Sequence, residues 1–136
     1  MYRFLDRRVS ALDPTHRFLL VAMRLWAGAA RGAGSVTDAF AAVGATETLG
    51  DFGIAMATLE HDSGWMLRLA AIAHDVVLDD EARLLALFDA GLSGQSRDVR
   101  RRAAALVADD AASRLALAVE RVAMTIGDNV FVERDR

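Results

Sequence analysis

The sequence predicts an all-α fold, a single-domain bundle of five or six helices. Large apolar residues recur every three or four positions along most of the chain, which is the period of a helix with one buried face. Alanine, the residue with the highest helix propensity, occurs 27 times, whereas proline occurs once. A chain of 136 residues is long enough to bury one core without a metal or disulfide. We therefore expect residues 1–136 to form one helical domain, with 1–12 and 127–136 at its periphery.

Capping residues and glycines mark the helices in the first half of the chain. Because aspartate caps free helix N–H groups and proline suits the first helical turn, Asp13-Pro14 predicts a helix start. The stripe that follows includes Phe18, Ala22 and Leu25. The further boundaries that we expect are an end of this helix at Gly32 to Gly34, a short helix from Ser35-Val36-Thr37-Asp38 to Gly44, and a third from Thr46 to His61-Asp62-Ser63-Gly64.

The second half of the chain contains one stretch whose conformation the sequence leaves open. Residues 65–77 fit either a helix or an extended segment. Asp79-Asp80-Glu81 places negative charge where a helix macrodipole favours it, so a helix should begin there and end near Gly91 to Gly94. Ser96 is the expected cap of the last helical region, which is either one helix or two that break at Asp109-Asp110. A loop is expected from Gly127.

Composition excludes several classes of function. The chain has no cysteine and therefore no disulfide, thiolate metal site or cysteine nucleophile, which fits a cytoplasmic protein. All 16 basic residues are arginine, so lysine-dependent chemistry is excluded too. The net charge of −3 favours no nucleic-acid partner. Apolar runs are too short for a membrane span, and the N-terminus lacks a signal-peptide core. We expect a cytoplasmic protein without a nucleic-acid or membrane partner.

The histidines are the first candidates for chemistry, because two of the three are followed by aspartate. Imidazole and carboxylate groups suit a hard or borderline metal ion. The candidate metal ligands are His16, His61, His74 and Asp75. We expect no cofactor and side chains that lie at the surface without a ligand role; a bound metal ion is the alternative.

The segment Ala-Ile-Ala-His74-Asp75-Val resembles the second half of the metal-binding signature of HD phosphohydrolases. That resemblance implies an all-α enzyme that hydrolyses phosphate esters with a distant histidine, a His-Asp pair and a later aspartate as ligands. Here these are His16, His74, Asp75 and, late in the chain, Asp128. The chain departs from the pattern in the long gap between the histidines and in Val76-Val77, which replace the usual glycine.

Four arginines open the last helical region and form the second candidate site: Arg97, Arg100, Arg101 and Arg102. Free N–H groups at a helix start together with arginine forks suit a phosphate or carboxylate ligand. The alternative is a solvated helix face that Asp98, Asp109-Asp110 or a neighbouring helix neutralises.

The tryptophans and methionines are the third candidate, since they suit an apolar ligand pocket between helices. Trp26 and Trp65 are its main residues, together with Met23, Met56, Met66 and Met124. At helical spacing, the alternative is an ordinary hydrophobic core.

Several segments also resemble a family of short all-α proteins from alphaproteobacteria, to which no activity is assigned. The similar segments are Asp13 to Arg24, Asp38-Ala39-Phe40, and Val77 to Leu85. The family has a cysteine run before the acidic helix start, where this chain has Ala73-His74-Asp75. This resemblance implies a fold and no function.

The leading hypothesis is a non-catalytic interaction or regulatory protein that associates with a protein partner or with itself as a homodimer, through an exposed apolar helix face. The alternatives are an HD-type phosphohydrolase and a binder of a small anionic or apolar ligand.

Overall fold

The computed structural model describes residues 3–28, 34–63 and 67–129. Six α-helices account for most of this part of the chain, and the all-α prediction is confirmed. They are α1 (Pro14–Gly28), α2 (Gly34–Ala42), α3 (Leu49–Asp62), α4 (Asp79–Leu92), α5 (Ser96–Leu106) and α6 (Asp109–Asn129). Short 3₁₀ turns precede α1 and α3, at Val9–Ala11 and Thr46–Thr48. None of the helices in the described ranges combines the length and the apolar character that a membrane crossing requires.

The predicted helix starts are correct for α1 and α4 and displaced for α5. The backbone N–H of His16 donates to the Asp13 side chain over 2.9 Å, so Asp13 caps α1 as expected. At α5, Ser96 is already the first helical residue, and Gln95 before it provides no side-chain cap. The predicted Ser96 cap is therefore wrong. Gly94, at φ +72°, completes the turn after α4 and lets the next helix begin at once.

The C-terminal region forms two helices, with the break at Val107 and Ala108 rather than at the aspartate pair. Asp109 and Asp110 occupy the first turn of α6. The expected loop from Gly127 is wrong as far as Asn129, since α6 continues to that residue. Gly127 packs so closely on Leu92 of α4 that an added Cβ would stand 3.3 Å from a Leu92 methyl, and this packing supports the last turn. The expected docking of residues 130–132 lies outside the described residues.

The core forms around α6, which packs against α3, α4 and α5, while α1 packs against α2 and α4. A series of aromatic contacts runs through it. The ring of Phe40 lies 5.1 Å from that of Phe18 and 5.0 Å from that of Phe52, and Phe52 lies 6.3 Å from Phe88. Phe40, Phe52 and Phe88 are fully buried. These rings join α1, α2, α3 and α4 into one apolar interior.

The first residues of the described chain contribute to that interior. Phe4 and Leu12 are buried, although the segment was expected at the periphery. The backbone of this segment also pairs with the chain just before α4. Val77 donates to the Arg7 carbonyl over 2.8 Å, and Val9 donates to the Asp75 carbonyl over 2.9 Å. The residues before α1 and before α4 therefore hold each other in place.

Candidate functional site

His16 lies almost fully buried between two aspartates. Its Nδ1 is 2.8 and 2.7 Å from the two Asp13 oxygens, and its Nε2 is 2.9 Å from Asp89 Oδ1. Arg3 donates to the other Asp89 oxygen over 3.0 Å. Because a neutral imidazole has a single N–H, only the imidazolium form donates to both carboxylates. Burial opposes ionisation of Asp13, but hydrogen bonds from His16 outweigh it and lower the pKa of Asp13. His16 thus links the start of α1 to α4.

The structure does not assemble the predicted metal ligands. Within residues 3–28, 34–63 and 67–129, no three histidine, cysteine, aspartate or glutamate side chains form a group able to hold a metal ion. Both ring nitrogens of His16 face aspartates of its own site. His61 is exposed at the end of α3, and His74 and Asp75 are exposed in the segment before α4. The side chain of Asp128 lies outside the described residues.

A buried ion pair, absent from the sequence-based candidates, joins α1 to α4. The Nε and Nη2 atoms of Arg24 donate to the two oxygens of Glu81 over 2.8 and 2.9 Å. The two side chains are 1% and 0% exposed. Removing two charges from water is costly, and the attraction between them compensates only where the geometry is good and the remaining polar atoms are satisfied. The two parallel hydrogen bonds meet the first condition. We refer to Arg24 and Glu81 as the clamp.

The clamp meets the second condition through the backbone of residues 67–78, the non-helical segment before α4, which we call the clamped loop. The guanidinium donates to the carbonyls of His74 and Val76 over 2.5 and 3.1 Å. The carboxylate accepts the N–H groups of Ala70 and Leu78 over 3.0 and 2.9 Å. Four backbone groups of a segment without regular structure are therefore satisfied by one ion pair.

The carboxylate of the clamp is held in its ionised form. Burial would raise the pKa of Glu81, but the hydrogen bonds from Arg24 and from the two backbone N–H groups outweigh it, and the pKa is lowered. Its neighbour Asp80 fixes the beginning of the clamped loop by accepting the Arg68 N–H over 2.7 Å. The conformation of residues 65–77, left open by the sequence, is thus non-helical from residue 67 onward because buried charges replace helical hydrogen bonds.

The sequence contains a signal for each clamp residue. Arg24 interrupts the apolar run of α1 between Met23 and Leu25, which is unusual for a charge on a packed helix. Glu81 is the third residue of α4, where a glutamate reaches back to the N–H of the residue before the helix. Neither signal identifies the partner, since the two residues are far apart in the chain.

The four arginines of the predicted anion site differ in their surroundings. Arg101 and Arg102 both pair with Asp98, and the Arg102 Nε lies 3.0 Å from it. Hydrogen bonds from these two guanidinium groups lower the pKa of Asp98. Arg97 and Arg100 are exposed, and neither has an ion-pair partner among the described residues. Asp98 thus partly neutralises this helix face, and the anion site at Arg97 and Arg100 stays a prediction.

The predicted apolar pocket is only partly present in the described chain. Met23 and Met56 are buried core residues. Trp26 is half-buried against Phe52 and lines a small cavity of about 230 Å³ together with Met56 and Leu69. This volume is below the usual range for small-molecule pockets. Trp65 and Met66 lie outside the described residues.

Met124 instead belongs to an exposed face of α6. It is 66% exposed, and Leu117, seven residues earlier, is 53% exposed. Glu120 and Arg121 lie between them, and neither has an ion-pair partner in the part of the chain that the structure describes. We call these four residues the α6 face. On one side of it, Glu120 and Met124 line a groove of about 330 Å³ against the turn between α4 and α5.

Comparisons with known proteins add no assignment. No family model matches the chain, and neither curated proteins nor solved structures give a match. The resemblances to HD phosphohydrolases and to the alphaproteobacterial family therefore stay predictions.

Proposed function

We propose that this protein is a small interaction module that associates with a second copy of itself through the α6 face. The observation that carries the proposal is the exposure of two large apolar side chains, Leu117 and Met124, on one stripe of a helix whose other side forms the core. Among the residues that the structure describes, the other exposed large apolar side chains are Ile54 and Ile72, which lie apart on α3 and in the clamped loop. Single exposed residues of that kind are normal, whereas apolar residues grouped on one surface are typical of interaction sites.

The charges on the α6 face favour a second copy over an unrelated partner. Glu120 and Arg121 are adjacent, so their side chains diverge and do not neutralise each other. The residues three and four positions away along the helix are all uncharged. For Glu120 they are Ala116, Leu117, Ala123 and Met124, and for Arg121 they are Leu117, Ala118, Met124 and Thr125. In the described part of the chain, this surface thus carries one charge of each sign without a partner, and such a surface is complementary to itself.

The expected association is weak. A stable interface buries about 800 Å² on each partner, and one face of one helix is smaller than that. We therefore expect a monomer–dimer equilibrium at roughly micromolar to millimolar concentration rather than a permanent dimer. Methionine is suited to such a contact because its flexible thioether adapts to the surface that it meets.

Sedimentation analysis over a wide concentration range tests this proposal. The wild type should move toward twice the monomer mass as concentration rises, and Leu117→Glu should stay monomeric. Ile72→Glu is the matched control, because it places the same charge at a similarly exposed position, 51%, outside α6. Circular dichroism should show that both variants keep their helix content. The proposal would be contradicted if the wild type remained monomeric at about 1 mM, or if Leu117→Glu and Ile72→Glu lost self-association equally.

A further inference from the structure

We infer that the two copies align their α6 helices in parallel about a two-fold axis that runs along them. Leu117 then meets Leu117 of the second copy, and Met124 meets Met124. The inference rests on the proposed self-association and adds the direction of the helices. It follows from where the four residues of the α6 face lie around the helix.

Helix geometry places the two charges on opposite flanks of the apolar stripe. At 100° per residue, Leu117 and Met124 differ by about 20° and stand about 10.5 Å apart along the axis. Relative to their mean direction, Glu120 lies about 50° to one side and Arg121 about 50° to the other. At this height the stripe thus has Glu120 on one side, which we call the acidic flank, and Arg121 on the other, which we call the basic flank.

The two possible two-fold arrangements treat these flanks differently. When the axis runs along the helices, rotation carries the acidic flank of one copy to the basic flank of the other, which gives two Glu120–Arg121 pairs. When the axis is perpendicular to the helices, like flanks meet, so Glu120 faces Glu120 and Arg121 faces Arg121. Opposed like charges disfavour the antiparallel arrangement, and the paired opposite charges favour the parallel one.

Single cysteines distinguish the two arrangements, because the chain has no cysteine of its own. A disulfide forms only between residues whose Cα atoms lie within about 7 Å. Leu117→Cys alone and Met124→Cys alone should each give a disulfide dimer in a glutathione buffer if the helices are parallel. An antiparallel pair should give a disulfide only when the two variants are mixed. Ala104→Cys, exposed on α5, measures random collision.

Charge reversal provides a second, independent measurement on a chain that keeps its apolar stripe. In the parallel arrangement Glu120→Arg replaces both opposite pairs by like pairs, so the dissociation constant should rise about fivefold or more. In the antiparallel arrangement the same change leaves two like pairs as before, and the dissociation constant should stay nearly constant. Arg121→Glu should behave in the same way.

The outcomes separate the inference from the proposal on which it rests. The parallel arrangement would be overturned, with self-association unaffected, if disulfides formed only when Leu117→Cys and Met124→Cys are mixed and if charge reversal left the dissociation constant unchanged. Absence of any concentration-dependent mass in the wild type would overturn both. Two results together would support the parallel pair. Leu117→Cys and Met124→Cys should each form homodimeric disulfides faster than Ala104→Cys, and Glu120→Arg should weaken self-association.

Discussion

Arg24 and the arginines of α5 carry the same cation in opposite surroundings. The Arg24 side chain is 1% exposed, and Glu81 accepts two hydrogen bonds from it. The Arg101 side chain is 73% exposed and shares the Asp98 carboxylate with Arg102. On α1 a single arginine satisfies its partner and two carbonyls of the clamped loop, whereas on α5 two arginines compete for one acid at the surface.

The difference shows that exposure to solvent, rather than the number of charges, determines how much an arginine contributes to stability. Two unit charges 4 Å apart attract by about 1 kcal/mol in water and by about 4 kcal/mol near a protein surface. Exposed pairs also lose side-chain entropy when they form. The row of basic residues at Arg100 to Arg102 is conspicuous in the sequence but lies at the surface, while the isolated Arg24 determines the course of a loop. Four predictions test this contrast.

Removal of the clamp arginine should have the largest effect. Arg24→Met leaves the Glu81 carboxylate buried without its partner, so the free energy of unfolding should fall by about 3–5 kcal/mol. Urea denaturation followed by circular dichroism measures it. The double variant Arg24→Met/Glu81→Met should lose less than the sum of the single variants, since it leaves no unpaired charge. A loss below about 1 kcal/mol for Arg24→Met would show that the clamp is not important for stability.

Acid should have the second-largest effect, because it weakens the clamp. A protonated Glu81 keeps some of its hydrogen bonds but loses its negative charge. In the folded protein the pKa of Glu81 lies below its ordinary value of 4.5. At a pH between the folded pKa and 4.5, the unfolded chain therefore binds a proton that the folded chain does not. The stabilisation that ionised Glu81 provides is complete above pH 4.5 and is lost as the pH falls through the pKa of Glu81 in the folded protein. Urea midpoints from pH 6 to pH 3 should fall less steeply in Glu81→Gln. Equal slopes would contradict this assignment.

The buried histidine should rank third. His16→Gln removes the buried ring whose two nitrogens contact Asp13 and Asp89, and we expect a loss of about 2 kcal/mol in unfolding free energy. His61→Gln and His74→Gln are matched controls with exposed side chains, and each should change stability by less than about 0.5 kcal/mol. Thermal unfolding of the three variants gives the comparison. Similar losses in all three would show that the Asp13–His16–Asp89 site contributes nothing special.

The surface arginines should have the smallest effect. Arg101→Ala leaves Asp98 paired with Arg102 and exposes nothing apolar, so the change in unfolding free energy should stay within about 0.5 kcal/mol. Sodium chloride at about 1 M should reduce even this difference, because it screens exposed charges. A loss comparable with that of Arg24→Met would refute the view that burial separates the two sites.

Local signals predicted the helices better than the sites. Asp13 caps α1 because the hydrogen bond that it accepts lies within the same turn. The expected end of α6 at Gly127 failed because a contact with Leu92, distant in sequence, outweighs the low helix propensity of glycine. His16 is a candidate metal ligand in the sequence, but the structure places it against Asp89, which lies in another helix. The metal hypothesis joined histidines by their residue type, and residue type does not determine distance.

The sequence by itself determined that this chain forms helices, where α1 and α4 start, and which residues form most of the buried stripes, because these properties depend on neighbours within one or two turns. Only the tertiary structure decided which charges are buried, which partners they find and which apolar residues of α6 remain in water. Those outcomes depend on how whole helices pack. Arg24 and Glu81 become a clamp, and Leu117 and Met124 an exposed face, only after α1, α4 and α6 have taken their places in the bundle.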